Sequence, residues 1–271
     1  MNVAHAAWDL QSLSGGRFEL GLGSQVRGNI VGRYSTSWSP PVPRMREYVG
    51  ALRAIFACWQ SGEKLSFEGE HYRFTRMQPF FNPGPLDEGP PMIHLAAIGP
   101  AMTALAGEAV DGLMCHPTNS SPRYLRERMW PRLETGAQRT GRDLGNLVVM
   151  AADMVATGPD LQSVQAAREG IRELFGFLFS TRAYWPSLDL YGFSGLGEEL
   201  LSLTRQGAWG EMTERIPDEL LDQLVPSGVY SEISDGLRER FDGLAQRLTF
   251  PLPDDPALEP VVAEVIRALK S

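Results

Sequence analysis

Residues 14–25 read Ser14-Gly15-Gly16-Arg17-Phe18-Glu19-Leu20-Gly21-Leu22-Gly23-Ser24-Gln25. Upstream, Val3, Ala7, Leu10 and Leu13 recur at helical spacing, so a helix is predicted to run into Ser14 and to stop at the glycines. Downstream, Phe18, Leu20 and Leu22 alternate with Glu19, Gly21 and Gly23, the period-two signature of a strand. A helix, a glycine turn and a strand that leaves through Gly23 make the joint of an α/β protein.

The rest of the chain repeats that joint. Residues 24–43 form a polar, proline-rich loop, after which Met45, Val49, Leu52, Phe56 and Trp59 share one face of a helix that has Pro43 in its first turn. Leu65-Ser66-Phe67 and Tyr72-Arg73-Phe74 flank Glu68-Gly69-Glu70 and predict a small hairpin near 64–80. Buried-type strands are predicted at Met92–Ala97, Leu113–His116, Leu147–Ala156 and Arg247–Pro251, with helices opening at Pro100, at Ser121-Pro122, at Asp160 and at Pro256. Residues 180–245 read as a helical excursion broken at Pro186, Gly195, Pro217 and Pro226. Together with the strand near 17 these make five candidate parallel strands, separated by amphipathic helices with right-handed crossovers. A complete (β/α)8 barrel needs eight strands in about 250 residues. One domain, 1–271, is expected, and five strands are three short of such a barrel, about 90 residues at about 30 per strand–helix unit.

Composition narrows the class. The 271 residues are 43% hydrophobic and 21% charged, with a net charge of −8. That balance argues against a nucleic-acid or anionic-membrane partner, since either would favour a basic patch. No leader and no bilayer-length apolar run is apparent, so a cytoplasmic location is expected. Cys58 and Cys115 match no metal-ligand spacing, and no two histidines do either, so no metal is expected. No G-x-S-x-G elbow, P-loop, H-E-x-x-H or paired-carboxylate pattern occurs, which leaves the chemistry to a cofactor.

Gly21-Leu22-Gly23 does not continue into a dinucleotide-binding turn, because position 26 is valine and no helix is predicted before about Pro43. In Ala96-Ala97-Ile98-Gly99-Pro100 a buried strand turns into a helix whose first N–H groups could meet an anion, although any strand–helix loop has such a start. His116 stands at a predicted strand end, where it could donate a proton or contact substrate, or simply hydrogen-bond in the rim. His94 lies inside a strand and is assigned to the core. Arg27, Asn29 and Arg33 are polar groups in the loop after Gly23. Tyr184 and Trp185 either cover a flat ligand or pack the excursion onto the rest of the chain.

The block Ala4–Gln25, with Pro43-Arg44-Met45-Arg46-Glu47-Tyr48, Phe67-Glu68-Gly69-Glu70-His71-Tyr72-Arg73-Phe74, Pro90–Pro100, Ala106–Gly112 and Ile216-Pro217-Asp218-Glu219, resembles luciferase-like flavin or deazaflavin (F420) oxidoreductases. The wording is similar to an F420-dependent subgroup. The resemblance implies an incomplete (β/α)8 TIM barrel lacking the first three strand–helix units. It also implies hydride transfer with F420, or monooxygenation with reduced FMN and oxygen, on a small organic substrate. An open barrel would expose the edge of the strand near 17, so poor stability or rescue as a homodimer is expected. Gly23, Ser24, Gln25, Ala97, Ile98 and Gly99 become the cofactor-binding residues, the last three around its phosphate, and Asn29 and His116 the substrate contacts. Ring-facing polar groups of relatives come in part from the second and third strands, so no catalytic residue is carried over. The alternatives are a noncatalytic remnant or subunit that binds cofactor without turnover, and an unrelated α/β protein such as a Rossmann dehydrogenase.

Overall fold

A computed structural model describes residues 1–151 and 154–270. In chain order the elements are α1 (Asn2–Ser14), β1 (Glu19–Leu22), α2 (Pro41–Ser61), β2 (Phe67–Glu68), β3 (Arg73–Phe74), β4 (Met92–Ala96), α3 (Pro100–Ala109), β5 (Gly112–Met114), α4 (Pro122–Tyr124), α5 (Trp130–Gln138), β6 (Val148–Ala151), β7 (Ala156–Gly158) and α6 (Leu161–Phe179). They continue as α7 (Trp185–Tyr191), α8 (Leu196–Gln206), α9 (Trp209–Glu214), α10 (Asp218–Leu224), β8 (Ser227–Val229), α11 (Ile233–Phe241), β9 (Arg247–Leu248) and α12 (Glu259–Lys270). All five expected strands form. The chain divides into two compact units, Met1–Met114 with Arg132–Leu147, and Cys115–Pro131 with the described residues from Val148 onward.

In the first unit β1, β4 and β5 pair in parallel, with Leu20 opposite Ile93 and Leu95 opposite Leu113. The apolar face of this sheet, including Leu20, Ile93, Leu95 and Leu113, is buried. Helix α1 ends as read, at Gly15, whose φ of 61° places it in the left-handed region glycine tolerates. Its buried face was misread. Ala4, Ala7, Trp8 and Gln11 are buried, whereas Leu10 and Leu13 are exposed. The physical reason is Trp8, whose ring lies 5.6 Å from Phe56 and 5.3 Å from Trp59 and turns the helix toward α2. On α2 the five predicted face residues Met45, Val49, Leu52, Phe56 and Trp59 are all buried. The hairpin forms as β2 and β3, with Phe67 opposite Phe74.

Two glycines bring α3 and α5 into backbone contact. A Cβ on Gly107 would lie 2.1 Å from the Leu133 carbonyl oxygen, and one on Gly136 only 1.7 Å from that of Ala104. Neither position has room for a side chain.

In the second unit β6 pairs in parallel with β9, Met150 opposite Arg247. The predicted strand Leu147–Ala156 is not continuous: β6 stops at Ala151, and Ala156 starts β7, which pairs in parallel with β8. Positions 152 and 153 of that prediction lie outside the described residues. The β7–β8 pair went unread because each strand is only three residues long, too short for a period to show. Asp160 caps α6 as predicted, its carboxylate accepting from the Ser163 N–H at 2.8 Å. Phe175 and Phe179 of α6 pack into a core with Leu188, Leu200, Leu220 and Leu221, all fully buried.

Ser121 occupies the N-cap position of α4 but makes no side-chain capping bond; its hydroxyl accepts from Tyr191 Oη at 2.8 Å. Residues Asn29–Arg33, read as loop, form a π-helical turn.

Candidate functional site

The register of β1, β4 and β5 places Glu19, Gly21, Met92, His94, Ala96, Gly112 and Met114 on one face, since partners opposite each other share a face and side chains alternate. Gly23 continues that face: a Cβ added there would lie 3.7 Å from the Ala96 Cβ. Gly21, Gly23 and Ala96 are exposed, in contrast with the buried Ile93 and Leu95 behind them. Met114 lies over Gly21, its sulfur 3.0 Å from where a Cβ would stand, whereas Gly23 and Ala96 leave the backbone bare at the C-terminal end of this face, where a planar ligand can approach it. At the other end stand Glu19 and His94, whose Oε2 and Nε2 are 3.0 Å apart. His94 is buried, as read, but its partner Glu19 was not foreseen.

Beyond β1 the chain turns sharply. Gln25 has a φ of 57°, in the left-handed region that favours glycine, and its Oε1 accepts from Asn29 Nδ2 at 2.9 Å. The structure therefore joins two residues read separately, and the Gln25–Asn29 bond closes the loop that follows Gly23. Gly23 and Ser24 also border a cavity of about 310 Å3.

Beyond β4, the predicted phosphate turn divides. Ala97 is buried and donates its N–H to the Met114 carbonyl at 3.3 Å, so that donor is already used within the sheet. Gly99 is exposed and occupies the N-cap position of α3, with no side chain there to serve as cap. Pro100 has no N–H, and the first-turn N–H groups of Ala101 and Met102 have no acceptor within the helix. An anion at this helix start would meet those donors and the positive end of the helix dipole. Because β1 and β4 are neighbours in parallel, Gly23-Ser24 and Ile98-Gly99 leave the sheet at the same edge.

Glu47, Glu70 and His71 have ligand atoms within 4.8 Å of one another. Glu47 already accepts from the Glu70 N–H at 3.0 Å and the His71 N–H at 2.7 Å. Those bonds, the one from His71 first, hold its carboxyl below the usual range. The cluster is a latch between α2 and the hairpin, and it fixes Tyr72.

In the second unit His116 follows β5 but is not part of a strand. It is the N-cap of a short 3-10 turn, Pro117–Asn119, and its Nδ1 is 2.9 Å from the Thr118 hydroxyl. Its ring stacks on Tyr184 at 4.4 Å with the planes 8° apart. Burial lowers its pKa, which favours the neutral ring. The Thr118 N–H, 3.4 Å from Nδ1, favours the tautomer with the proton on Nε2. Trp185 donates Nε1 to the Phe179 carbonyl at 2.8 Å and packs on the helical core of its own unit. Arg27 and Arg33 are exposed.

A family model described as luciferase-like monooxygenase matches residues 1–247. The chain is 43% identical over 248 residues to an uncharacterised protein of Mycobacterium tuberculosis, covering 92% of this chain and 73% of that protein. It is 25% identical over 245 residues to the 5,10-methylenetetrahydromethanopterin reductase of Archaeoglobus fulgidus, covering 88% and 68%. Among solved structures, the coenzyme F420 dependent tetrahydromethanopterin reductase of Methanopyrus kandleri superposes with a TM-score of 0.75 at 18% identity, over 98% of this chain and 76% of that one. That likeness bears out the α/β, TIM-barrel-type reading of the fold. Among the described residues no helix is long and apolar enough to cross a membrane.

Proposed function

This chain belongs to the luciferase-like monooxygenase family, and from that premise we propose that it is an oxidoreductase that binds F420 and moves hydride between it and a small organic substrate. The observation that carries the proposal is that the neighbouring parallel strands β1 and β4 end side by side, one in Gly23 beside Ala96 and the other leading to the uncapped helix start at Gly99. The residues fit the cofactor in kind: a flat ring needs a floor without side chains, and a phosphate needs free N–H donors.

In this reading the N–H groups of Ile98, Gly99, Ala101 and Met102 hold the phosphate, and Ala97 supports the turn from within the sheet. Gly23 lets the ring lie against the backbone. Ser24 and Gln25 offer a hydroxyl and an amide to the ring edge, and Asn29 keeps Gln25 in place through their hydrogen bond while offering its own carbonyl to substrate. His116 of the second unit, neutral and with its Nε2 proton free of Thr118, is by itself able to donate a proton to an oxygen. F420, when bound, supplies the hydride chemistry. FMN fits the same donors, and reduced FMN with oxygen would make the chain a monooxygenase.

Fluorescence titration with F420 and then FMN as competitor tests this. Saturable micromolar binding of F420 that FMN displaces only weakly is the expected result. Preferential FMN binding moves the reaction to monooxygenation. Absence of binding by both sinks the proposal for this chain.

A further inference from the structure

The cavity beside Gly23 and Ser24 contains an arginine that has no carboxylate partner among the described residues. Arg46 and Arg142, also half-buried in the first unit, each have a carboxylate within 4.0 Å. Arg44 forms no ion pair among the described residues. Its Nε donates to Tyr72 Oη at 3.0 Å and its Nη1 to Ser39 Oγ at 3.4 Å, leaving the remaining guanidinium donors unassigned at the cavity wall. Tyr48, Tyr72 and Trp38 line the same cavity, and the Tyr48 and Tyr72 rings are 5.3 Å apart. Arg44 sits in the first turn of α2, where the helix dipole adds to its positive charge. The latch from Glu47 to the hairpin backbone fixes Tyr72 in this wall, so the polar end of the cavity is built before any ligand arrives.

We infer that this cavity takes an organic carboxylate carried on a flat or aromatic body, with Arg44 and Tyr72 binding the carboxylate and the rings of Tyr48 and Trp38 binding the body. A guanidinium with a planar donor fork suits a carboxylate better than any neutral group. A volume of about 310 Å3 holds a single-ring molecule. The inference rests on the proposed function in one respect: because the cavity shares Gly23 and Ser24 with the cofactor edge, the carboxylate is assigned to the substrate.

The test is a titration of the whole chain with sodium benzoate and with its neutral isostere benzamide, read by tryptophan fluorescence, with Trp38→Phe to assign the signal. Benzoate is expected to bind saturably, and benzamide at least about tenfold more weakly, as loss of a charged hydrogen-bonding pair implies. Arg44→Met should lose benzoate affinity by about tenfold or more, and Arg44→Lys by less. Tyr72→Phe, which keeps the ring and removes only the hydroxyl, should lose several-fold and serves if Arg44→Met does not fold. Equal affinity for benzoate and benzamide, or Arg44→Met and Tyr72→Phe binding benzoate as wild type does, overturns the inference. F420 titration of wild type and Arg44→Met tests that assignment. Unchanged F420 affinity in the variant, with benzoate binding to wild type alongside F420, supports a substrate carboxylate; a parallel loss, with benzoate and F420 in competition, overturns it. The benzoate arm contains no cofactor, so its failure and the failure of F420 binding are separate results.

Discussion

His94 Nε2 stands 3.0 Å from Glu19 Oε2 across the first parallel strand pair, on the same face as the exposed Gly21, Gly23 and Ala96. His94 is 2% exposed and Glu19 only partly so, so each removes the other from water. Replacing Glu19 with leucine leaves the imidazole without this partner and is expected to lower stability by about 1–3 kcal/mol. Glu19→Gln keeps an acceptor and should cost less. Urea unfolding of the two variants checks the order, and equal effects would mean that the pair contributes only packing.

The contact of α3 with α5 gives a sharper expectation. Gly136→Ala sets a Cβ against the Ala104 carbonyl, so the helices must separate, at about 3 kcal/mol or more. Gly170, exposed in α6 with nothing within 4 Å of an added Cβ, is the matched control. There the same substitution should stabilise by about 0.5–1 kcal/mol, because alanine loses less entropy in a helix. Thermal unfolding should therefore move in opposite directions for the two alanines.

Acid should weaken the first unit through Glu108. Arg46 binds its carboxylate at 2.5 and 2.9 Å, and Arg139 adds a bond at 3.4 Å. The hydrogen bond from Arg46 above all lowers the pKa of Glu108 below its ordinary 4.5. A carboxyl with a depressed folded pKa contributes stability that is complete above the ordinary value and is lost as pH falls toward the folded one. Melting temperature should decline on acidification through that window, and Glu108→Gln should be less stable at neutral pH but show a flatter acid limb.

His116 follows the opposite charge logic and arrives at the same sign. Burial lowers its pKa below the ordinary 6.5, so the unfolded chain takes up a proton first and folding weakens as pH falls below that value. NMR titration should show the His116 ring protonating below an ordinary histidine. Tyr184→Ala, which removes the stacked ring and opens the site to water, should bring it back up.

Much of this fold was legible because its elements are long or sharply punctuated. Helix α2 spans six turns of regular apolar spacing, and α3 is bounded by Gly99-Pro100 and the Val110-Asp111-Gly112 turn, so both came out as read. What could not be read depends on partners distant in sequence. The face of α1 was set by Trp8 meeting Phe56 and Trp59, and β7 acquires its identity only by pairing with β8 about 70 residues on. The candidate site divides in the same way. Gly23 and Gly99 show in sequence as glycines at strand and helix ends. Whether Ala97 has a free N–H, whether Gln25 reaches Asn29, and that Arg44 meets no carboxylate among the described residues depend on contacts between segments. Alternation within Phe18–Gly23, combined with the register to Met92–Ala96, would have put Glu19 and His94 on one face, but the register itself is not written in one strand.

The most direct test of the proposed cofactor edge is the F420 dissociation constant of wild type and Gly99→Asp, measured side by side with their melting temperatures. Gly99 is the N-cap of α3 and has open space where a side chain would go, so aspartate should cap the helix and raise the melting temperature. The same carboxylate occupies the anion's place and repels it. The account requires F420 affinity to fall by about tenfold or more while stability rises. Undiminished F420 binding in a folded Gly99→Asp variant would contradict it.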